Sequence, residues 1–197
     1  MRTKLIASLV TAVCFIGITS CSNDTEEYRS YSFKEIRYSV EDGDGLERYK
    51  TPMGIIVSVK NNLTEDCPSP QSDAFINNHE RYVFSSDDLS LFSKVDEPVY
   101  VPIPYAIRET HISLTEENKP FSATEIDVSE KIELLPSFTV PPMTSMTLKG
   151  ELTIEKLTVT YEAIFIEHPS NKEIAVRGKY IRYYPQGIEL TPHFEKL

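Results

Sequence analysis

The residue types that most often bind metals are scattered along this chain of 197 residues. Its four histidines are His79, His111, His168 and His193. No two of them have the short spacing with which one helix or one loop supplies two zinc ligands. The spacing therefore predicts separate surface histidines, and we expect neither a metal nor another cofactor.

One short acidic segment has part of a calcium-binding pattern. Asp42-Gly43-Asp44-Gly45 carries two carboxylates at the alternating positions with which such a loop begins. Leu46 occupies the third ligand position, and Met53 stands where a glutamate would close the loop. Because Asp and Gly in succession also favour tight turns, the segment is predicted to be a turn.

No arrangement of nucleophile or acid and base can be chosen from the sequence. The chain has no G-x-S-x-G motif, and its 7 glycines form no phosphate-binding loop. Glu116 and Glu117 are adjacent in a turn-like segment, whereas glycosidases use carboxylates from separate elements. Glu65 and Asp66 precede Cys67 and disfavour the thiolate that a nucleophile requires. The chain is predicted not to be an enzyme, and a carbohydrate-active enzyme is the least favoured alternative.

Tyrosines stand among basic residues at both ends of the chain, a combination that can bind sugars or anions. In strands such residues more often form cross-strand pairs on a half-buried face, which the pattern favours here, so no ligand-binding residue is assigned. The residues concerned are Tyr28, Arg29, Tyr31, Arg37 and Tyr38, and then Arg177, Lys179, Tyr180, Arg182, Tyr183 and Tyr184.

The N-terminus has the pattern of a secretory signal. A basic head, residues 1–4, precedes an apolar run from Leu5 to Ile18 that is shorter than the roughly 20 residues of a spanning helix. Ile18-Thr19-Ser20-Cys21 then resembles the lipobox of bacterial lipoproteins. The resemblance implies cleavage after residue 20 and fatty acids such as palmitate on Cys21. An ordinary signal with an incidental cysteine, or a short buried helix, is the alternative.

The residues after the lipobox suggest a location and its partners. Residues 21–30 are acidic and polar, which predicts a solvated tether or, by resemblance, the export tag of surface lipoproteins of some Gram-negative bacteria. We expect an outer-membrane protein that is anchored through Cys21 and faces either the cell surface or the periplasm. A net charge of −10 argues against nucleic acid as a partner, leaving an unidentified protein or glycan. Of three cysteines only Cys67 remains free, so no intramolecular disulfide is expected.

Two-residue alternation predicts strands throughout residues 31–197, which we assign to one antiparallel, elongated or sandwich-like all-β domain. Apolar residues occupy even positions from Met146 to Ile154 and odd positions from Leu157 to Phe165. This phase change at Glu155-Lys156 indicates a β-bulge or a tight turn, with the bulge slightly favoured. Further predictions are strands over 31–40, 126–134 and 173–184, one strand with Ile55, Val57 and Val59 on one face, a surface loop over 61–80 and a short helix near 85–92.

One stretch resembles a known family. Phe138-Thr139-Val140-Pro141-Pro142-Met143-Thr144 leads into two alternating strands that end in TVTYEAIF, and residues 120–185 are similar in this order to aerolysin-like (epsilon-toxin-type) β-pore-forming proteins. The resemblance implies an amphipathic hairpin that inserts into membranes. The best candidate is Thr110 to Leu135, folding about Glu116 to Pro120, although Glu130 would then face lipid.

Two functions follow from these observations. The first is a lipid-anchored cell-envelope protein that acts as a binding or assembly module. The alternative is a β-pore-forming or membrane-active protein of the aerolysin-like type.

Overall fold

The computed structural model describes residues 29–68, 74–86, 88, 90–95, 97–134 and 138–197. The predicted signal peptide, Cys21 and most of the tether lie outside the described residues. Within these residues, ten strands and one 3-10 turn, Phe92–Lys94, account for the regular structure. The strands are β1 (Ser30–Ser39), β2 (Gly45–Asn61), β3 (Cys67–Pro68), β4 (Ala74–Ser86), β5 (Tyr100–Arg108), β6 (His111–Pro120), β7 (Ile126–Leu134), β8 (Thr139–Val140), β9 (Thr144–His168) and β10 (Lys172–Lys196). All strand pairs are antiparallel, which confirms the predicted all-β fold.

Two long strands form the axis of the molecule. β9 and β10 have 25 residues each and pair along their whole length, which corresponds to about 80 Å at the usual rise of a strand. β1 pairs with residues 160–168 of β9, and β2 with residues 144–158. β4 pairs with β10 over 178–183 and with β7 on its other side. We call residues 157–168 of β9 and their partners the upper half, and residues 144–154 with theirs the lower half.

The phase change at Glu155-Lys156 is neither a turn nor a bulge in β9. β9 continues through these residues without a register shift, so successive side chains keep pointing to alternate faces. Even positions such as Met146 and Leu148 are buried in the lower half, and odd positions such as Val159 and Phe165 in the upper half. The sheet therefore buries opposite faces at its two ends. The predicted bulge occurs instead in β10, where Gln186 is left out of the register.

The upper half carries an aromatic core. Phe84 of β4 lies between three other rings, with centroid distances of 4.5 Å to Phe121, 5.3 Å to Tyr161 and 5.0 Å to Tyr180. In the described part of the chain, β5 and β6 pair only with each other. They cover this face, and their Val101 and Ile103 belong to the same buried cluster. Thirteen buried residues form this cluster, and Leu157 and Val176 are also among them.

The lower half is thinner. It has three strands, β2, β9 and β10, and β8 contacts β2 and β9 from the short β3–β8 pair. Met146, Leu148 and Val140 are fully buried there. The prediction that Ile55 shares a face with Val57 and Val59 is wrong, since a register shift between Ile55 and Val57 turns Ile55 outward, where it is 65% exposed.

The predicted hairpin over 110–135 is also wrong. β6 pairs with β5 across a turn at Glu109-Thr110, and β7 pairs with β4. Phe121, between β6 and β7, packs against the core, and Phe84 N–H donates to the Ser122 carbonyl at 2.9 Å. These contacts separate the two strands that were expected to pair.

Two smaller predictions need correction. Residues 74–80, predicted as loop, belong to β4, and the predicted helix near 85–92 is replaced by the end of that strand and the 3-10 turn. Prolines occur where a strand pairs with a neighbour on one side only, as in β5 and β6. At such positions the N–H that proline lacks is not needed for a hydrogen bond to a second strand. Among the described residues, no helix is long and apolar enough to cross a membrane.

Candidate functional site

A cleft lies between the β5–β6 hairpin and the long sheet, at the level where the buried face changes. Its volume is about 360 Å³. The hairpin contributes Tyr105 and Thr115, and Leu46 comes from β2. The β9–β10 pair contributes Glu155, Leu157, Arg182, Tyr184 and Gln186. We call this space the junction cleft.

The register of the sheet places these side chains together. Arg182 lies directly opposite Leu157, and Tyr184 directly opposite Glu155. Residues in such positions point to the same face of an antiparallel pair. Gln186 follows two residues after Tyr184 and is the bulged residue of β10. A bulge re-aims a side chain, which here brings the Gln186 amide to the Glu155 carboxylate.

Glu155 is a buried acid with one donor on each carboxylate oxygen. It is 9% exposed, and its Oε1 accepts from Arg48 Nε at 2.5 Å while Oε2 accepts from Gln186 Nε2 at 2.5 Å. A buried carboxylate is costly unless it is paired and hydrogen-bonded. The two donors meet that requirement and fix the orientation of the carboxylate at the cleft wall.

Arg182 connects three elements around the cleft. Its Nε donates to Glu80 Oε1 of β4 at 2.7 Å, and its Nη1 donates to the Tyr105 carbonyl of the hairpin at 3.4 Å. The guanidinium also lies 4.9 Å from the centre of the Tyr184 ring, within the range of a cation–π contact. The Tyr105 side chain, by contrast, is 52% exposed and available to a ligand.

The lining of the cleft is both aromatic and polar. It combines two tyrosines and two leucines with one carboxylate, one amide, one guanidinium and one threonine hydroxyl. Glycoside hydrolysis by acid and base uses two carboxyl groups on opposite sides of the bond, and this lining has one. Within the described part of the chain, no group of three or more His, Cys, Asp or Glu is placed to hold a metal ion.

The acidic turn forms a second polar site on the other face of the sheet. The Asp44 carboxylate is fully buried and accepts from Lys179 Nζ at 2.6 Å, from Thr160 Oγ1 at 2.7 Å and from Thr160 N–H at 2.8 Å. Burial works against the charged form, but these hydrogen bonds outweigh it and lower the pKa of Asp44. The predicted turn is confirmed, because Asp44 N–H donates to the Glu41 carbonyl. The Asp44 carboxylate, which a calcium ion would need as a ligand, is already hydrogen-bonded to the Lys179 ammonium group.

Beside it, the exposed Glu41 carboxylate pairs with Arg177. The hydrogen bond from Arg177 is the main cause that lowers the pKa of Glu41. This pair and the Asp44 contacts attach the β1–β2 turn to β10, so we interpret the cluster as structural.

The tyrosines of the C-terminal cluster have three different positions. Tyr180 is fully buried, and Tyr183 lies below Arg81 at 5.1 Å, as expected for residues that pack across strands. Tyr184 and Arg182 line the junction cleft. The sequence pattern indicated both residues but did not predict the cleft. In the N-terminal cluster, Tyr38 donates its hydroxyl to the Pro102 carbonyl at 2.9 Å.

The four histidines lie on separate strands. His79 Nδ1 is 3.1 Å from Asp127 Oδ2, and His168 Nε2 is 2.9 Å from Ser32 Oγ. His111 begins β6 and His193 lies in β10. Glu116 and Glu117 lie in β6, and Cys67 is a free, partly buried thiol.

Comparison with known proteins gives similarities in structure alone. No family model matches the chain, and no curated protein matches it. Solved structures that resemble 84% of the chain are a lamprey immune protein (TM-score 0.49, 9% identity), the parasporin-2 toxin of Bacillus thuringiensis (0.49, 11%) and an aerolysin-like protein of Bombina maxima (0.45, 12%). The matches cover 53%, 74% and 99% of those chains, so this chain spans about half the length of the lamprey protein.

Proposed function

We propose that this chain is a non-enzymatic binding protein of the bacterial cell envelope, anchored by fatty acids on Cys21, whose junction cleft binds a glycan. The observation that carries this proposal is the combination of exposed tyrosine and fixed polar groups in one cleft. A sugar ring has an apolar face that stacks on tyrosine and hydroxyl groups at its rim that need polar partners.

The charges of the cleft favour a neutral sugar. Glu155 is already paired with Arg48, and Arg182 is already paired with Glu80. A fully charged ligand would have to compete with these internal partners. Hydroxyl groups, which both donate and accept, can use the lone pairs and N–H groups that remain.

The position of the anchor fits a binding site held away from the membrane. β1 begins at Ser30 opposite His168, at the end of the sheet where β9 turns into β10. Glu155 lies further down β9 by about 40 Å at the usual rise of a strand. With the tether attached at Ser30, an upright molecule would present the cleft at that height above the lipid.

Glycan binding can be tested with a defined set of oligosaccharides. Neutral, uronic-acid-containing and sulfated oligosaccharides are titrated against the full chain by calorimetry. We expect a neutral oligosaccharide to bind, and both Tyr105→Ala and Tyr184→Ala to weaken binding about tenfold, the effect of 1.4 kcal/mol. Tyr49→Ala is the matched control, because Tyr49 pairs with Ile154 and so faces the opposite side of the sheet from Glu155. Absence of binding, or equal loss in the control, would contradict the proposal.

The anchor requires a separate measurement. Intact mass spectrometry of the natively produced protein should give a chain that begins at Cys21 and carries fatty acids, and protease treatment of intact cells should remove it if it is surface-exposed. A chain that retains Met1 or carries no lipid would exclude the anchor while leaving the cleft unaffected.

A second function, a β-pore-forming protein, is favoured by the β5–β6 hairpin. Its strands have 9 and 10 residues, the length of membrane-spanning strands. Among the described residues no backbone hydrogen bond joins β5 or β6 to the long sheet, so detachment would break side-chain contacts without breaking a ladder. Leakage of dye from liposomes together with detergent-resistant oligomers would support this function, and a monomer that leaves liposomes intact would exclude it.

A further inference from the structure

Three segments meet at the free end of the lower half. Leu63 follows β2, Met143 precedes β9 and Leu197 follows β10. Met143 N–H donates to the Leu63 carbonyl at 3.2 Å, and Leu197 N–H donates to the Met143 carbonyl at 2.9 Å. We call these three residues the apolar tip.

All three side chains are exposed although they are large and apolar. Leu63 is 61% exposed, Met143 49% and Leu197 50%. A single exposed apolar residue needs no explanation, but several joined by backbone hydrogen bonds at one end of the molecule form a patch. Such a patch gains free energy when another apolar phase covers it.

A buried asparagine holds the tip in one conformation. Asn61 Nδ2 lies 2.8, 2.9 and 3.0 Å from the carbonyls of Glu65, Val140 and Pro141, which share its two N–H groups. Asn61 Oδ1 accepts from Leu63 N–H at 2.9 Å. The loops that carry Leu63 and Met143 are thereby attached to each other. A surface ordered in this way loses little conformational entropy when it binds.

The backbone at Met143 supports a role for its side chain. Met143 has a φ of +46°, in the left-handed region that glycine and asparagine adopt most easily. A methionine there is strained, and such residues are concentrated at sites with a function. Despite this backbone strain, the residue at position 143 is a methionine, and its long, flexible apolar side chain is exposed to solvent.

The size of the tip indicates what covers it. Three adjacent segments at strand spacing span about 15 Å, so the tip offers a few hundred Å², well below the roughly 800 Å² per partner of a stable protein complex. A bilayer interface needs no complementary surface and accepts single apolar side chains. Exposed charges of both signs surround the tip, among them Lys60, Lys196, Glu65 and Glu195, so it does not select anionic lipid.

We propose that the apolar tip inserts into the interface of a zwitterionic lipid bilayer. The site is distinct from the junction cleft and lies at the opposite end of β9 from the tether. An upright molecule anchored through Cys21 would hold the tip about 80 Å from the anchoring bilayer, so the tip would contact a second, opposing bilayer. The proposal does not depend on that anchor.

The absence of tryptophan from the sequence permits a site-specific test. Leu63→Trp introduces one reporter at the tip, and Ile55→Trp introduces a matched reporter at an exposed position within β2. The full chain carrying either reporter is mixed with phosphatidylcholine vesicles, with and without brominated lipid. We expect the emission of the tip reporter to move to shorter wavelength and to be quenched by brominated lipid, while the β2 reporter stays unchanged.

A second substitution separates insertion from other causes. Met143→Asn keeps a residue that tolerates positive φ but removes the apolar side chain, so it should reduce quenching of the Leu63→Trp reporter without changing the midpoint of thermal unfolding. Equal quenching at both reporter positions would overturn the proposal, since the whole molecule would then adsorb without preference. A shift of the tip reporter's emission that appears on raising the protein concentration in the absence of vesicles would also overturn it. That result would indicate a second copy of the chain as the partner.

Discussion

The upper and lower halves of the long sheet contain the same two strands and differ in everything around them. In the upper half, β9 and β10 are flanked by β1, β4 and β7 and covered by the β5–β6 hairpin. In the lower half they have one further neighbour in the sheet, β2, and contact with β8. The single strand β9 therefore contributes side chains to two cores, one on each face of the sheet.

The boundary between the halves explains why the cleft is where it is. Odd positions of β9 are buried above Glu155, and even positions below it. Glu155 lies at this boundary, at the wall of the junction cleft, and still finds donors in Arg48 and Gln186. Packing of the two cores thus leaves space for a site between them.

Removal of one aromatic ring should separate the two halves most clearly. Phe84→Ala should reduce the free energy of unfolding by about 4 kcal/mol, because three rings lose a fully buried neighbour. Leu148→Ala in the lower half should cost about 2 kcal/mol, since a thin region can collapse around the smaller side chain. Urea unfolding measures both, and equal losses would show that the halves are equally well packed.

The turn that attaches β1 and β2 to the upper half should be sensitive to acid. Asp44→Asn should cost about 3 kcal/mol at neutral pH, because the partly exposed Lys179 loses its buried carboxylate. The pKa of Asp44 is lowered in the folded state, so its contribution is present above about pH 4 and is lost as the pH falls through the folded value. The difference between wild type and variant in urea unfolding should therefore shrink towards pH 3, and a constant difference would contradict this explanation. Glu41→Gln, which weakens the exposed pair with Arg177 beside it, should cost clearly less than Asp44→Asn, because solvent screens an exposed ion pair.

The lower half depends on a polar clamp where the upper half depends on rings. Asn61→Ala should cost about 2 kcal/mol, because three carbonyl groups and one N–H group near the tip lose their partner. Hydrogen exchange should increase at Leu63, whose N–H donates to Asn61, and stay slow at Tyr161 and Phe165. Increased exchange throughout both halves would mean that the sheet unfolds as one unit.

The smallest effect is expected at a hydroxyl group in the aromatic core. Tyr180 is fully buried, and its hydroxyl has no hydrogen-bond partner among the described residues. Tyr180→Phe should therefore leave the midpoint of thermal unfolding unchanged or raise it. The corresponding gain in the free energy of unfolding is at most about 1 kcal/mol. Tyr38→Phe, which removes the bond to the Pro102 carbonyl of the hairpin, should lower the midpoint. A loss at Tyr180 as large as at Tyr38 would indicate a bound water at that hydroxyl.

The sequence predicted the strands well because alternation is a local property. The change of phase at Glu155-Lys156 correctly marked the place where the buried face changes. Its interpretation as a bulge or turn in β9 was wrong, because β9 keeps its register there. The bulge lies in the partner strand β10, and β9 contributes to one core above this point and to another below it.

Pairing was beyond the reach of local patterns. The segment 110–135 contains two strands and a plausible turn, yet each strand pairs with a more distant one, β6 with β5 and β7 with β4. Which partner wins depends on the core that both strands cover, and Phe121 between them packs into that core. Two-residue alternation gave the all-β fold class but not this connection.

The amino-acid sequence by itself determined that the described chain is an antiparallel β protein with a tight turn at Asp42–Gly45, because alternation and turn chemistry act between near neighbours. Only the tertiary structure decided the junction cleft and the apolar tip. Leu46, Tyr105, Glu155 and Gln186 are far apart in sequence, and register and the bulge in β10 bring them to one cavity. The physical reason is that side-chain periodicity fixes a face, whereas the free energy of packing fixes which faces meet.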